Sequence, residues 1–145
     1  MRKVTAIIPC KNEEHNIEAV LQSVSWCDEI LVVDSFSTDN TVALAKKYTS
    51  RIIESEYIYS ASQKNRTIPL AQNEWILLVD ADERVTDALK SEIQNVLSAE
   101  NIEYDAFWIY RANFFLGKRV NYSGWQNDKV IRLFKRDTCR YEDKQ

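Results

Sequence analysis

Two aspartates, Asp80 and Asp82, close an apolar run in the stretch Glu74-Trp75-Ile76-Leu77-Leu78-Val79-Asp80-Ala81-Asp82-Glu83. In an extended segment, residues i and i+2 point to the same side. Two carboxylates so placed repel each other unless a cation sits between or beside them. Hard oxygen ligands of this kind suit magnesium, manganese or calcium. Magnesium and manganese usually take one or two protein carboxylates and fill the remaining shell with water and substrate phosphates. The pair therefore fits a site for a metal-nucleotide rather than for a metal alone. The competing reading is a turn, with Asp82 capping the helix that follows.

A second run, Glu29-Ile30-Leu31-Val32-Val33, also ends in aspartate, at Asp34, and a first run, Val4 to Ile8, ends at Pro9 beside the polar loop Lys11-Asn12-Glu13-Glu14. In open α/β sheets, ligands bind outside the carboxyl ends of the strands. If the three strands are neighbours, these loops meet at one rim.

The elements that must position them alternate. Val4 to Ile8 reads as a buried strand stopped by Pro9. Asn12 looks like a helix N-cap with Glu13 and Glu14 in the first turn, and Ile17, Val20, Leu21 and Val24 follow at helical spacing. Glu29 to Val33 is a second strand. Polar turn material runs from Ser35 to Asn40, a helical face follows at Thr41, Leu44, Ala45 and Tyr48, and Arg51 to Glu54 is a third strand. Ser60 to Asn73 is helical in part and interrupted at Pro69. Trp75 to Val79 is the fourth strand, and Thr86 caps a helix with the face Leu89, Ile93, Val96 and Leu97. Such strand–helix alternation implies an α/β fold with a mainly parallel sheet and helices on both faces. After about Glu103 the chain turns aromatic and β-branched, and Val130 to Lys135 is a further strand candidate. That part reads as an antiparallel β appendage at the C-terminal end.

The 145 residues suit one domain. A net charge of −3 argues against a general nucleic-acid binder. Lys118, Arg119, Lys129, Arg132, Lys135 and Arg136 still gather late in the chain, as a solvated basic face or as a surface for an anionic partner. Cys10, Cys27 and Cys139 are widely spaced, and with one histidine, His15, they make no zinc pattern. Reduced thiols fit a cytoplasmic protein. No apolar run approaches a membrane span, and contact with a membrane surface stays open.

The segments IIPCKNEEHNIEAVLQSV, ILVVDSFSTDNT and QKNRTIPLAQNEWILLVDADE resemble, in order and spacing, the motifs of the family 2 glycosyltransferases. The later segment GWQNDKVIRLF resembles the bacterial subgroup that adds glucose to the lipopolysaccharide inner core. The resemblance implies a GT-A (Rossmann-like) fold and an inverting, metal-dependent transfer of a hexose, glucose in that subgroup, from a UDP-sugar to a saccharide or glycolipid acceptor. It implies a nucleotide-sugar-binding half at 1–102 and the start of an acceptor half at 103–145, in a chain that looks truncated. It also implies a cytoplasmic site of action, with the inner face of the cytoplasmic membrane as an option.

Residue by residue, the resemblance matches Asp34 to the aspartate that binds the uracil ring, the alternative being a turn carboxylate. Pro9 and Lys11 match the loop around the base, although many members carry an aromatic residue where this chain has Lys11. Lys64 matches a basic position near the base or diphosphate, with Arg66 as a competitor. Asp80 matches the ribose-side aspartate, and Asp82 the ligand of a divalent cation, Mn2+ or Mg2+. Inversion by single displacement needs one general base, and Asp128 is the candidate, ahead of Glu83 and Glu142. Tyr122 and Trp125 are acceptor-stacking or core residues with equal reason, whereas Trp26, Trp75 and Trp108 read as core. Cys10 reads as packing. Two other classes compete: a nucleotide-sugar-binding module without turnover, and a nucleotidyltransferase. The latter usually carries a Gly-rich loop after its first strand, and the only glycines here are Gly117 and Gly124.

Overall fold

The computed structural model describes residues 1–56, 60–110, 129–138 and 140–141. The elements in chain order are β1 (Val4–Cys10), α1 (Ile17–Ser23), β2 (Glu29–Asp34), α2 (Thr41–Ala45), β3 (Ile52–Glu54), α3 (Ser60–Thr67), a 3-10 turn (Ile68–Leu70), β4 (Trp75–Leu78), α4 (Asp87–Ser98), β5 (Ala106–Tyr110) and β6 (Lys129–Lys135). Among the described residues the strands form one sheet in the order β3-β2-β1-β4-β6-β5. β1 pairs in parallel with β2 and β4, and β2 with β3. β6 runs antiparallel to both β4 and β5. The chain winds outward from β1 to β3 and then crosses to β4 on the other side of β1. That reversal puts a crevice at the carboxyl ends of β1 and β4, where open α/β sheets bind ligands.

Pro9 does not stop β1. It pairs with Val33, and the strand continues to Cys10. The Ile7 carbonyl accepts from Val79 N at 3.1 Å and the Cys10 carbonyl from Ser35 N at 3.0 Å. Odd-numbered residues of β1 thus face β4 here and even-numbered residues face β2. The last β1–β4 pair is Ile7 with Leu78. The amide that Pro9 lacks would point past the end of β4, where the ladder needs no donor.

Both faces of the sheet are buried, which is why its strands read as apolar runs. On one face Val4, Ala6 and Ile8 pack with Ile17, Val20 and Leu21 of α1 and with Ile93 and Leu97 of α4. On the other, Ile7, Leu31, Val33, Ile76, Leu78 and Phe134 pack with Ile68 and Ala71. Each fully buried aliphatic side chain here contributes roughly 1.5–3 kcal/mol. Thr86 caps α4, its Oγ1 accepting from Leu89 N at 3.2 Å. Trp75 lies in the core at 1% exposure and Trp26 packs against it in part. The side chain of Trp108 lies outside the described residues.

Candidate active site

Two loop systems build the crevice. The first joins the loops after β1 and β2. Asn12 is left-handed, with φ of 52°, a conformation asparagine tolerates better than most residues. Its Oδ1 accepts from Thr38 N at 2.8 Å, and its own amide donates to Ser37 Oγ at 2.8 Å. Glu13 N donates to Thr41 Oγ1 at 2.8 Å. Glu14 N donates to Asp39 Oδ2 at 3.2 Å, and Glu14 Oε2 accepts from Asn40 N at 3.1 Å. Each loop satisfies the other's backbone. Asn12 is therefore not the cap of α1: its side chain is committed to the neighbouring loop, and the helix begins at Ile17 behind Asn16.

Asp34 is 1% exposed at the foot of this system. Its Oδ2 accepts from Ser37 N at 2.9 Å, and its Oδ1 accepts from the Ser37 hydroxyl and from Cys10 Sγ, the latter at 3.6 Å. These bonds are those of a turn carboxylate. Burial, followed by the charge and hydrogen bond of Asp34, pushes the Cys10 thiol far up. Cys10 is thus a protonated donor to Asp34 and no nucleophile at neutral pH.

The second system joins the end of β4 to β6. Asp80 and Asp82 do not lie in an extended segment. Glu83 N donates to the Asp80 carbonyl at 2.9 Å, and Asp80 N donates to Glu83 Oε1 at 2.8 Å. These reciprocal bonds close a turn as soon as β4 ends at Leu78. Arg132 of β6, 6% exposed, lies against the turn and pairs with Asp80 at 3.2 Å and with Glu83 at 2.7 Å. Burial alone would weaken the guanidinium's hold on its proton, but Glu83 and Asp80 outweigh that, and its pKa lies above the ordinary value. Both Glu83 oxygens are committed, to Arg132 and to the Asp80 amide.

Between the two systems opens a cleft of about 340 Å³ lined by Pro9, Lys11, Lys64, Asp80 and Asp82, and also by Cys10, Glu13, Ser35, Gln63 and Ala81. That volume lies within the usual range for small-ligand sites. Five of the six described site residues expected from the sequence are thus brought together. Asp34 lies beneath, behind Ser35. Lys64 sits 5.0 Å from the centroid of the Tyr141 ring. Arg66 turns away to the Glu56 carbonyl. Asn65 bonds the backbone of Tyr141 twice, at 2.8 and 2.9 Å, which ties α3 to the segment after β6. Asp128, Tyr122, Trp125 and Glu142 lie outside the described residues.

Among the described residues no three His, Cys, Asp or Glu side chains group as a metal site. The donor set nonetheless fits a hard cation whose shell is completed by phosphates and water, for which one or two carboxylates suffice. Asp82 is exposed on the cleft wall, neither capping a helix nor paired with another described residue.

Sequence reasoning missed Gln63 and Arg132. Gln63 is 3% exposed and donates to Ser35 Oγ at 2.6 Å, one position before the lysine that was singled out. Arg132 was counted in a basic face of six residues, of which Lys118, Arg119 and the side chain of Lys129 lie outside the described residues, and the other three are paired. Arg132 is buried, Lys135 pairs with Asp105 at 3.3 Å and Glu74 at 3.7 Å, and Arg136 pairs with Asp137. Alternation held the signal: residues 132 and 134 share a face, and Phe134 is core.

Comparison with known proteins agrees with this geometry. The family model described as glycosyl transferase family 2 matches residues 5–142. An uncharacterized glycosyltransferase of Rickettsia felis is 34% identical over 135 residues, 92% of this chain and 44% of that protein. The lipopolysaccharide core biosynthesis glycosyltransferase LpsC of Rhizobium meliloti is 29% identical over 144 residues, 96% of this chain and 53% of that protein. The chain thus spans about half the length of these relatives. TarS of S. aureus superposes with a TM-score of 0.63 at 21% identity, covering 86% of this chain and 40% of that one. Glucosyl-3-phosphoglycerate synthase of Mycobacterium tuberculosis, solved with Mn2+, UDP and glucosyl-3-phosphoglycerate, superposes with a TM-score of 0.59 at 23% identity, covering 76% of this chain and 44% of that one. These likenesses establish the GT-A type of fold.

Proposed function

This chain belongs to glycosyl transferase family 2, and on that premise we propose that it binds a UDP-hexose, glucose being the favoured sugar, for inverting transfer to a saccharide of a cell-envelope glycan. The supporting observation is the single cleft at the carboxyl ends of β1 and β4 that gathers Pro9, Lys11, Lys64, Asp80 and Asp82. The likeness to LpsC supports a lipopolysaccharide core sugar as acceptor. The nucleotidyltransferase alternative finds no support in the family match.

In this reading residues 1–102 hold the donor. The loop from Pro9 to Lys11 borders the base, and Asp34 braces that loop from below through Ser37 and Cys10, so that a base N–H would reach its carboxylate only if Ser35 moved aside. Asp80 accepts from a ribose hydroxyl. Lys11 and Lys64 act on the diphosphate as point charges, without the bidentate geometry of arginine. Asp82 would hold Mn2+ or Mg2+, and the cation when bound would supply Lewis-acid neutralisation of the departing UDP. Asp128 would take the proton of the acceptor hydroxyl as general base.

A thermal-shift series with nucleotide diphosphate sugars, with and without Mn2+, tests the reading, because a ligand selective for the native state raises the melting temperature. The expected result is the largest shift for a UDP-hexose with Mn2+, lost under EDTA and in Asp82→Ala. Equal shifts with EDTA or in the variant would overturn the metal role.

A further inference from the structure

Arg132 makes four hydrogen bonds with one planar group. Nη1 donates to the Leu78 carbonyl at 3.1 Å and to Glu83 Oε1 at 2.7 Å. Nη2 donates to Asp80 Oδ2 at 3.2 Å and to Glu83 Oε2 at 3.3 Å. The side chain is 7% exposed while that of Asp80 is 40% exposed. The guanidinium therefore works from behind the turn, and the carboxylate it holds stands in the cleft. Asp82, two residues on, is exposed and receives no such partner among the described residues.

We propose that Arg132 is the positioning residue that divides the labour of the two aspartates: it holds Asp80, its charge partly offset, as an oriented acceptor for a ribose hydroxyl and leaves Asp82 to the cation. This rests on the donor-site reading above. The physical argument is one of competition. Two carboxylates lining one cleft would otherwise both be open to a cation. A carboxylate bonded to a buried guanidinium has one oxygen occupied and part of its charge compensated, the rest of the guanidinium charge going to Glu83, so it competes less well for a second cation than an unpaired one. Its remaining oxygen is still a good acceptor, the carboxylate being anchored by one bond from Nη2, while the fork itself grips Glu83. Glu83 completes the arrangement: both its oxygens hold Arg132 in register, and its Oε1 fixes the Asp80 amide. A lysine would supply the charge without the fork.

Calorimetric titration of the 145-residue chain with UDP in the presence of Mn2+, and separately with Mn2+ alone, tests this on the wild type, Arg132→Met and Arg132→Lys. UDP affinity should fall at least about tenfold in Arg132→Met, which is what losing one hydrogen bond to a charged group costs. Affinity for Mn2+ alone should hold or rise in that variant, because Asp80 is released to the cation. Arg132→Lys keeps a cation in the turn and should lie between the two, and it decides the matter if the methionine variant fails to fold. Wild-type UDP affinity in both variants overturns the proposal. So does a parallel loss of UDP and Mn2+ binding, which would make Arg132 a support of the fold only. A wild-type chain that binds no UDP at all overturns the donor-site reading itself, and the proposal with it.

Discussion

The two loop systems that wall the cleft are held by different chemistry. At the ends of β1 and β2, residues 11–16 and 35–41 exchange hydrogen bonds between side chains and backbone, and the bonds that join the two loops run without a cation between them. At the ends of β4 and β6, one buried guanidinium gathers two carboxylates and a carbonyl. The first system spreads its cost over many modest bonds, so losing one leaves the rest in place. The second concentrates it on a single charge, whose loss leaves partly buried carboxylates uncompensated. The shape of the first wall is set by many backbone amides donating to side-chain oxygens, carboxylates among them. The second wall sets two carboxylates against one turn and needs charge balance, which the guanidinium provides.

The largest expected effect follows from that concentration. Arg132→Met should destabilise the fold by about 3 kcal/mol in chemical denaturation, the range for breaking a buried ion pair from one side. A loss below that of any single substitution in the first system would break the comparison. Next comes Asn12→Ala, which forces a residue with a Cβ and no acceptor into the left-handed region, at about 2 kcal/mol. Asn12→Gly restores the backbone freedom and should recover about half of that. Equal losses for the two would show that the bond to Thr38, and not the backbone, is what asparagine supplies.

The smallest effect is a titration. Desolvation pulls the Asp39 carboxyl upward, but hydrogen bonds from the Thr41 hydroxyl and amide and the Glu14 amide outweigh it and hold its pKa below the ordinary value. A depressed carboxyl contributes its stability in full above the unfolded pKa and loses it as pH falls through the lower native one. The Thr41 amide resonance should therefore titrate with a midpoint below about 3.9, the ordinary aspartate value. A midpoint at or above that value would mean that Asp39 does not hold the loop as an ionised acceptor.

The two systems also differed in how far they could be read beforehand. The bonds between the first two loops span about 25 residues in sequence, and both segments were visible as polar punctuation after apolar runs. Even so, Asn12 was misassigned as a helix cap, since asparagine serves caps and left-handed turns alike and local sequence does not separate the two uses. Pro9 was taken as a stop because whether its missing donor matters depends on which neighbour strand has already ended. The bonds of Arg132 to Asp80 and Glu83 span 52 and 49 residues, and among five other basic residues it looked like solvated surface.

The sequence by itself determined the strand–helix alternation, the capped α4, and the placement of Asp34 and Asp80 at strand ends, because apolar periodicity and turn chemistry act over a few residues. It also placed Pro9, Lys11, Asp80 and Asp82 at one rim once the strands were taken as neighbours, and the family resemblance added Lys64. Only the tertiary structure decided that β6 inserts beside β4. That pairing carries Arg132 under the turn and makes the two aspartates unequal: Asp80 is paired with it, and Asp82 has no partner among the described residues. The reason is that the charge balance of a buried group depends on what stands within a few ångströms of it, and this chain brings that partner from a strand 52 residues beyond Asp80.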